Sequence, residues 1–259
     1  MGVKGAVFSY VVTNAFSALL LIYFVKKITP GPWKYNGGLL KNLIKDGLLL
    51  HVAVIANFIT LRIDVLMVGY YRPSSSVGYY SVAVSITELL FLISAALQMI
   101  FYSKVGDMMK DKEDMAKKTL RLYRHSLIFF ILGAGTLVIL VKKVLVLFYG
   151  KAFLPSLLPF FILLPGAMIL YLSNLFVNYL VGVKKFIPIS IIFSFGSLLN
   201  VLLNMLLIPK YDSAGAALAS TITYSLNSVL VWILFLVVSG CSLKNFFKSL
   251  VFTKAKAYR

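Results

Sequence analysis

The sequence predicts an all-α polytopic membrane protein with about seven transmembrane helices. Three observations predict it. Hydrophobic residues make up 60% of the 259 residues, and mean hydropathy is +0.92. Charged residues are 13%, against about 25% in a soluble domain. Apolar runs of about 20 residues, enough to cross about 30 Å of hydrocarbon, recur along the chain. No soluble core of this size hides that much apolar surface, whereas lipid replaces the missing interior.

The spans run over 5–25, 48–69, 79–101, 126–141, 156–181, 186–208 and 214–239. The first is too long for a signal peptide and ends in Lys26-Lys27, like a stop-transfer signal. Gly31-Pro32 punctuates the first linker, and Pro188 and Pro209 bracket the sixth span. Pro159 and Pro165 fall inside the fifth span and predict a kink. The single cysteine, Cys241, excludes an internal disulfide and any Cys-rich metal site. It should react with thiol reagents from the cytoplasmic side only. No motif calls for a cofactor or metal.

A net charge of +18 would suit nucleic acid, but the placement of the charges opposes that partner. Lys and Arg sit in short gaps between apolar runs, where membrane orientation is set. Counted on alternate sides, they number 19 and 6. The larger set belongs in the cytoplasm, which puts the N-terminus outside and the C-terminus inside a cell (inner) membrane. The segment 108–124 is amphipathic and dense in both signs, and should lie at the cytoplasmic interface. Tyr70, Tyr71, Tyr79 and Tyr80 fit an aromatic belt.

The expected organisation is one helix (1–25), a basic cytoplasmic linker (26–46), a six-helix lobe (47–240) and a basic cytoplasmic tail (241–259). An external start with almost no tail is natural if helices precede the first span. An internal echo agrees. Gly5-Ala6-Val7-Phe8 opens the first span, and Gly215-Ala216-Ala217-Leu218 opens the last, 210 residues later.

Further stretches carry a family resemblance. They are Asn57 through Gly69 (NFITLRIDVLMVG), then Val77-Gly78-Tyr79-Tyr80-Ser81-Val82-Ala83, and Phe148-Tyr149-Gly150 with Phe153 and Ser156. Asn200 through Pro209 and Gly215 through Ala219 complete the set. In this order the sequence resembles the O-antigen repeat-unit flippases of polysaccharide biosynthesis, within the multidrug/oligosaccharidyl-lipid/polysaccharide exporter superfamily. The resemblance implies two six-helix lobes around a central cavity with alternating access. It makes the first span similar to the last helix of an N-terminal lobe, and the other six similar to the C-terminal lobe. The partners it implies are the lipid bilayer, a lipid-linked oligosaccharide, and either a missing N-terminal lobe or a second copy in a homodimer.

Ionisable side chains within spans name the candidate pathway. Arg62, Asp64 and Glu88 each cost about 2.5–3.5 kcal/mol near a helix centre. Positions two apart point about 200° apart on a helix, so Arg62 and Asp64 do not pair. His51 falls on the face of Arg62, and Asn57 on the face of Asp64, which gives the second span two polar stripes. Arg62 lies about 6 Å outward of the middle of its span and Glu88 about 3 Å. That match in depth predicts an Arg62–Glu88 pair facing the cavity, opened or protonated during transport. The alternative is that these charges only lock helices together. Asn174/Asn178 and Asn200/Asn204 are spaced i, i+4, and either bridge helices or meet sugar hydroxyls, packing being the favoured role. Gly215, Ala216, Ala219 and Ser220 form a small face for close helix packing.

The leading function is transport of lipid-linked oligosaccharide repeat units. A cation such as Arg62 suits a diphosphate or acidic sugar. The alternatives are a multidrug or peptidoglycan-precursor exporter, and a non-transporting subunit or inactive fragment. A membrane glycosyltransferase is discounted. The outer loops hold only Asp212 as a carboxylate, and no HExxH, phosphate loop or Ser-His-Asp set is present.

Overall fold

The computed structural model describes residues 2–28, 36–108 and 112–241. The expected linker residues 29–35 and the tail 242–259 lie outside the described residues. The helices are α1 (Gly2–Ile28), α2 (Gly37–Tyr71), α3 (Ser74–Thr87), α4 (Leu89–Met108), α5 (Lys112–Val144), α6 (Leu157–Gly182), α7 (Phe186–Tyr211) and α8 (Ser213–Ser239). A π turn (Leu145–Tyr149) and a 3-10 segment (Lys151–Ser156) join α5 to α6. Among the described residues there is no strand, and seven stretches are long and apolar enough to span a bilayer. The all-α, polytopic membrane class read from the sequence holds.

The chain divides into two compact units, Met1–Leu43 and Ile44–Arg259. In the first, α1 presents apolar side chains to its surroundings from Val7 to Ile28. Its polar side chains turn back onto the helix. Thr13 Oγ1 donates to Ser9 O at 2.8 Å, Asn14 Nδ2 to Tyr10 O at 2.8 Å, and Ser17 Oγ to Thr13 O at 2.8 Å. A helix facing hydrocarbon must satisfy its polar groups internally in this way.

The second span starts eleven residues earlier than the apolar run suggests. Asn36 caps α2, its Oδ1 accepting the Leu39 N–H at 3.0 Å, so Gly37-Gly38 begins a helix rather than ending a loop. The buried side of α2 is a narrow stripe of Ala53, Ala56, Thr60, Asp64 and Val68.

The expected third span is two helices. Regular hydrogen bonding stops at Glu88, where the Phe91 N–H bonds the Glu88 carbonyl in a 3-10 step at 2.8 Å. Two hydroxyls just before the break bond carbonyls four residues back: Ser85 Oγ to Ser81 O at 2.9 Å and Thr87 Oγ1 to Ala83 O at 2.8 Å. Such back-bonding competes with the helical ladder and bends it.

The fourth span also starts early. Of the basic segment expected at the interface (108–124), residues 109–111 lie outside the described residues and 112–124 form the first turns of α5, with Lys117, Lys118 and Arg121 exposed and Met115, Thr119, Leu120 and Tyr123 buried. Lys118 pairs with Asp114 one turn earlier at 2.6 Å. The π turn ends at Gly150, whose φ of +85° suits glycine. Pro165 lies inside α6, while Pro159 sits in its first turn, where a missing N–H costs no helical bond.

The core centres on α6 and α8. A Cβ added at Gly166 would stand 2.7 Å from Thr221 Cα, so only glycine admits this approach. Thr221 Oγ1 donates to Ile162 O across the same contact at 2.7 Å. The small face of α8 is buried as expected, with Ala216, Ala219 and Ser220 fully covered. A Cβ at Gly215 would meet Leu207 O of α7. At the other end of the core, Phe176 packs on Phe235 with ring centroids 4.5 Å apart, and Tyr179 on Phe235 at 5.0 Å.

Two sequence expectations need correction. Tyr80 is not part of an aromatic belt: it is fully buried, because its hydroxyl finds a polar partner in the core. Cys241 is also buried, so it is a poor reporter of sidedness.

Candidate functional site

A pocket of about 280 Å³, lined by both polar and apolar side chains, opens within the Ile44–Arg259 unit. α2 contributes Asn57, Leu61 and Arg62 to its wall. The α3–α4 break contributes Glu88, and the first turn of α4 contributes Phe91. α6 contributes Leu170, Tyr171 and Asn174. Within each element the lining residues lie within about one and a half helical turns of one another, so they share one level of the bundle.

The pair expected from depth alone is formed. Arg62 Nη1 lies 3.1 Å from Glu88 Oε1, with the side chains 50% and 32% exposed. Glu88 stands at the one-residue break between the end of α3 and the start of α4. The pair is open to the pocket and held by the attraction of its two charges. Behind it, Asn174 Nδ2 donates to Ser94 Oγ at 3.3 Å, and Ser94 Oγ to Tyr171 O at 3.1 Å. Gln98 Nε2 donates to the same hydroxyl at 3.2 Å. These bonds fix the α4–α6 wall. The rings of Phe91 and Tyr171 lie 5.7 Å apart along it.

Arg62 also borders a second, more apolar groove of about 370 Å³ between α2 and α3. Phe58, Val65, Leu66 and Val84 line it, with Ser81 and Ser85.

The remaining candidates fall elsewhere. Asp64 points into the core, where Oδ2 accepts from the Tyr80 hydroxyl and, at 2.9 Å, from Ser220 Oγ. Its Oδ1 accepts the Val65 N–H at 2.7 Å. Asn200 Nδ2 donates to Ser220 Oγ at 3.5 Å, and Asn204 Nδ2 to Asn200 Oδ1 at 2.9 Å. This chain of polar groups ties α2, α3, α7 and α8 together, with every member buried. Asn200 and Asn204 thus lie in the core and line neither pocket. Asn178 is buried one turn below Asn174 and lines neither pocket. His51 is exposed on α2 and also lines neither.

Helical geometry alone put Asn57 with Asp64 on one stripe. Their surroundings separate them, since α3 and α8 cover Asp64 while Asn57 stays at the pocket wall. Sequence reasoning missed Phe91 and Tyr171. Each lies three residues from a polar pocket residue, Glu88 and Asn174, and that spacing was the available signal.

One further cluster lies at the α2–α3 and α7–α8 corners. Arg72 Nε and Nη2 each donate to Ile208 O at 3.2 Å, and Nη2 also donates to Pro209 O. Asp212, with a φ of +57°, accepts from Ser76 Oγ at 3.0 Å and lies 3.9 Å from Arg72 Nε.

Comparison with known proteins agrees with this architecture. The chain is similar in fold to an outward-facing multidrug resistance MATE family transporter of the MOP superfamily, with a TM-score of 0.65 at 17% identity. A MOP superfamily transporter from Pyrococcus furiosus, described as having a binding pocket of reverse polarity, matches with a TM-score of 0.65 at 16% identity. A MATE protein solved in complex with Br-NRF matches with a TM-score of 0.53 at 17% identity. Each comparison covers 81% of this chain but only 50%, 50% and 51% of those structures, so the chain spans about half their length. No curated protein matches at a significant level. A family model described as polysaccharide biosynthesis protein matches residues 1–158. The chain belongs to the polysaccharide biosynthesis protein family, in a fold it shares with MATE transporters of the MOP superfamily.

Proposed function

We propose that this chain forms the C-terminal half of a membrane transporter that translocates lipid-linked oligosaccharide repeat units for cell-surface polysaccharide. The observation that carries this reading is the Arg62–Glu88 pair, open to a pocket walled by Asn57, Tyr171 and Asn174 between membrane-spanning helices. Charges in spans are costly and are kept where they face a wet path. Amides and an ion pair offer the donors and acceptors that sugar hydroxyls exchange for water. Family membership supports a polysaccharide pathway, and the fold supports transport.

In this reading α1 plays the part of the last helix of a first lobe, and the basic segment 26–46, whose second part is the start of α2, bridges the lobes. A facing lobe, from a further polypeptide or a second copy, completes the cavity. The Lys and Arg asymmetry sets the N-terminus outside and the C-terminus in the cytoplasm of a cell membrane. The chain moves its substrate and performs no covalent chemistry.

Deleting the chain from its host should abolish surface polysaccharide. Arg62→Glu should do the same, and the exchange Arg62→Glu with Glu88→Arg should restore part of it. Full polymer with each single variant would sink the proposal. Multidrug export is the second reading, supported by the MATE fold. It predicts drug sensitivity on deletion with polysaccharide unchanged.

A further inference from the structure

The charge balance of the pocket points to which sugars it admits. Among the described residues, the charged side chains lining it are Arg62 and Glu88, one of each sign. At 3.1 Å they neutralise one another. Asp64, two residues from Arg62, is turned into the core and held by Tyr80, Ser220 and the Val65 N–H. His51 does not line the pocket. Among the described residues the wall therefore has no net formal charge, although it carries a full cation.

The remaining lining matches a neutral pyranose. Asn57 and Asn174 offer amide donors and acceptors, while the ion pair adds a guanidinium fork and a carboxylate. Phe91 keeps an exposed ring at the wall, close to Tyr171, on which the C–H face of a sugar can lie. A ligand bringing its own carboxylate or phosphate meets Glu88 as soon as it approaches Arg62. The carboxylate 3.1 Å from the guanidinium repels that ligand and offsets its attraction to Arg62, a penalty that a neutral sugar does not meet.

We infer that this pocket selects an uncharged sugar residue, and that Glu88 determines specificity by withholding Arg62 from acidic sugars. The inference rests on the reading above that a glycan enters here, and it narrows the substrate class from any lipid-linked glycan to one with a neutral residue at this subsite. It also replaces the expectation that Arg62 serves a diphosphate or acidic sugar.

The test uses the full chain in phosphatidylcholine nanodiscs and two probes at equal concentration, methyl glucoside and methyl glucuronide. Saturation-transfer NMR reports which probe contacts the protein. Wild type should favour the glucoside. Glu88→Gln leaves Arg62 unmatched and should raise the glucuronide-to-glucoside ratio at least about tenfold. Arg62→Gln leaves Glu88 unmatched and should move the ratio the other way. Loss of folding lowers both signals together, so opposite movements in the two variants cannot come from it. The inference is overturned if wild type takes both probes equally, if it takes neither, or if the ratio stays put in both variants. A selectivity switch without any polysaccharide phenotype on deletion would keep this inference and discard the transport reading. The phenotype without a switch would do the reverse.

Discussion

Tyr80→Phe tests the buried network around Asp64 with the least collateral change. The ring is fully buried, and phenylalanine keeps its packing. What is lost is one hydroxyl, the one that donates to Asp64 Oδ2. Hydrogen bonds to a carboxylate contribute about 1.5–3 kcal/mol in water-soluble proteins. Side-chain bonds between transmembrane helices measure lower, about 0.6 on average and up to about 1.7 kcal/mol. Asp64 keeps two other donors, Ser220 Oγ at 2.9 Å and the Val65 N–H at 2.7 Å, so the carboxylate is not stranded. Together these place the loss at about 1–2 kcal/mol. The assay is SDS-driven unfolding in mixed micelles followed by far-UV circular dichroism. Tyr79→Phe serves as the control, because Tyr79 is only partly buried and packs its ring on Phe153. Ser220→Ala should show coupling with Tyr80→Phe of at least about 0.5 kcal/mol, since both donors share one oxygen. If Tyr80→Phe and Tyr79→Phe shift the midpoint equally, the network contributes nothing particular and the argument fails.

Two further predictions follow from the packing. Gly166→Ala should destabilise by about 1–3 kcal/mol, because its Cβ would meet the Thr221 backbone, whereas Gly135→Ala in α5, where nothing lies within 4 Å, should be neutral or slightly stabilising. The same unfolding assay compares them, and equal midpoints would refute the close α6–α8 approach. Arg72→Lys should speed amide exchange in the α7–α8 corner about tenfold or more, because an ammonium does not reproduce the forked bonds to Ile208 O and Pro209 O. Unchanged exchange at residues 210–215 would show that Arg72 does not hold that corner.

The apolar runs fixed the class and approximate position of the spans, because crossing hydrocarbon leaves the backbone no choice but helix. They did not fix the helix ends. Asn36 and the first turns of α5 extend helices past the apolar limit, where capping and amphipathic packing decide instead of hydropathy. The break at Glu88 was invisible to a hydropathy reading, since Val84 and Ile86 precede it and Leu89, Leu90 and Phe91 follow it. Its signal was the hydroxyls of Ser85 and Thr87, which act only once a helix exists for them to compete with.

The sequence by itself determined that Arg62 and Glu88 lie at similar depth, from which their pairing was expected. Their depths follow from rise per residue, and a charge in a span needs a partner. Only the tertiary structure decided that Asp64, Asn200 and Asn204 serve the core while Asn57 and Asn174 serve the pocket. Helical periodicity gives the direction in which a side chain points, but not what stands there. Asp64 and Asn57 share a face of α2 yet meet different neighbours, because α3 and α8 cover one level of that face and leave the other open.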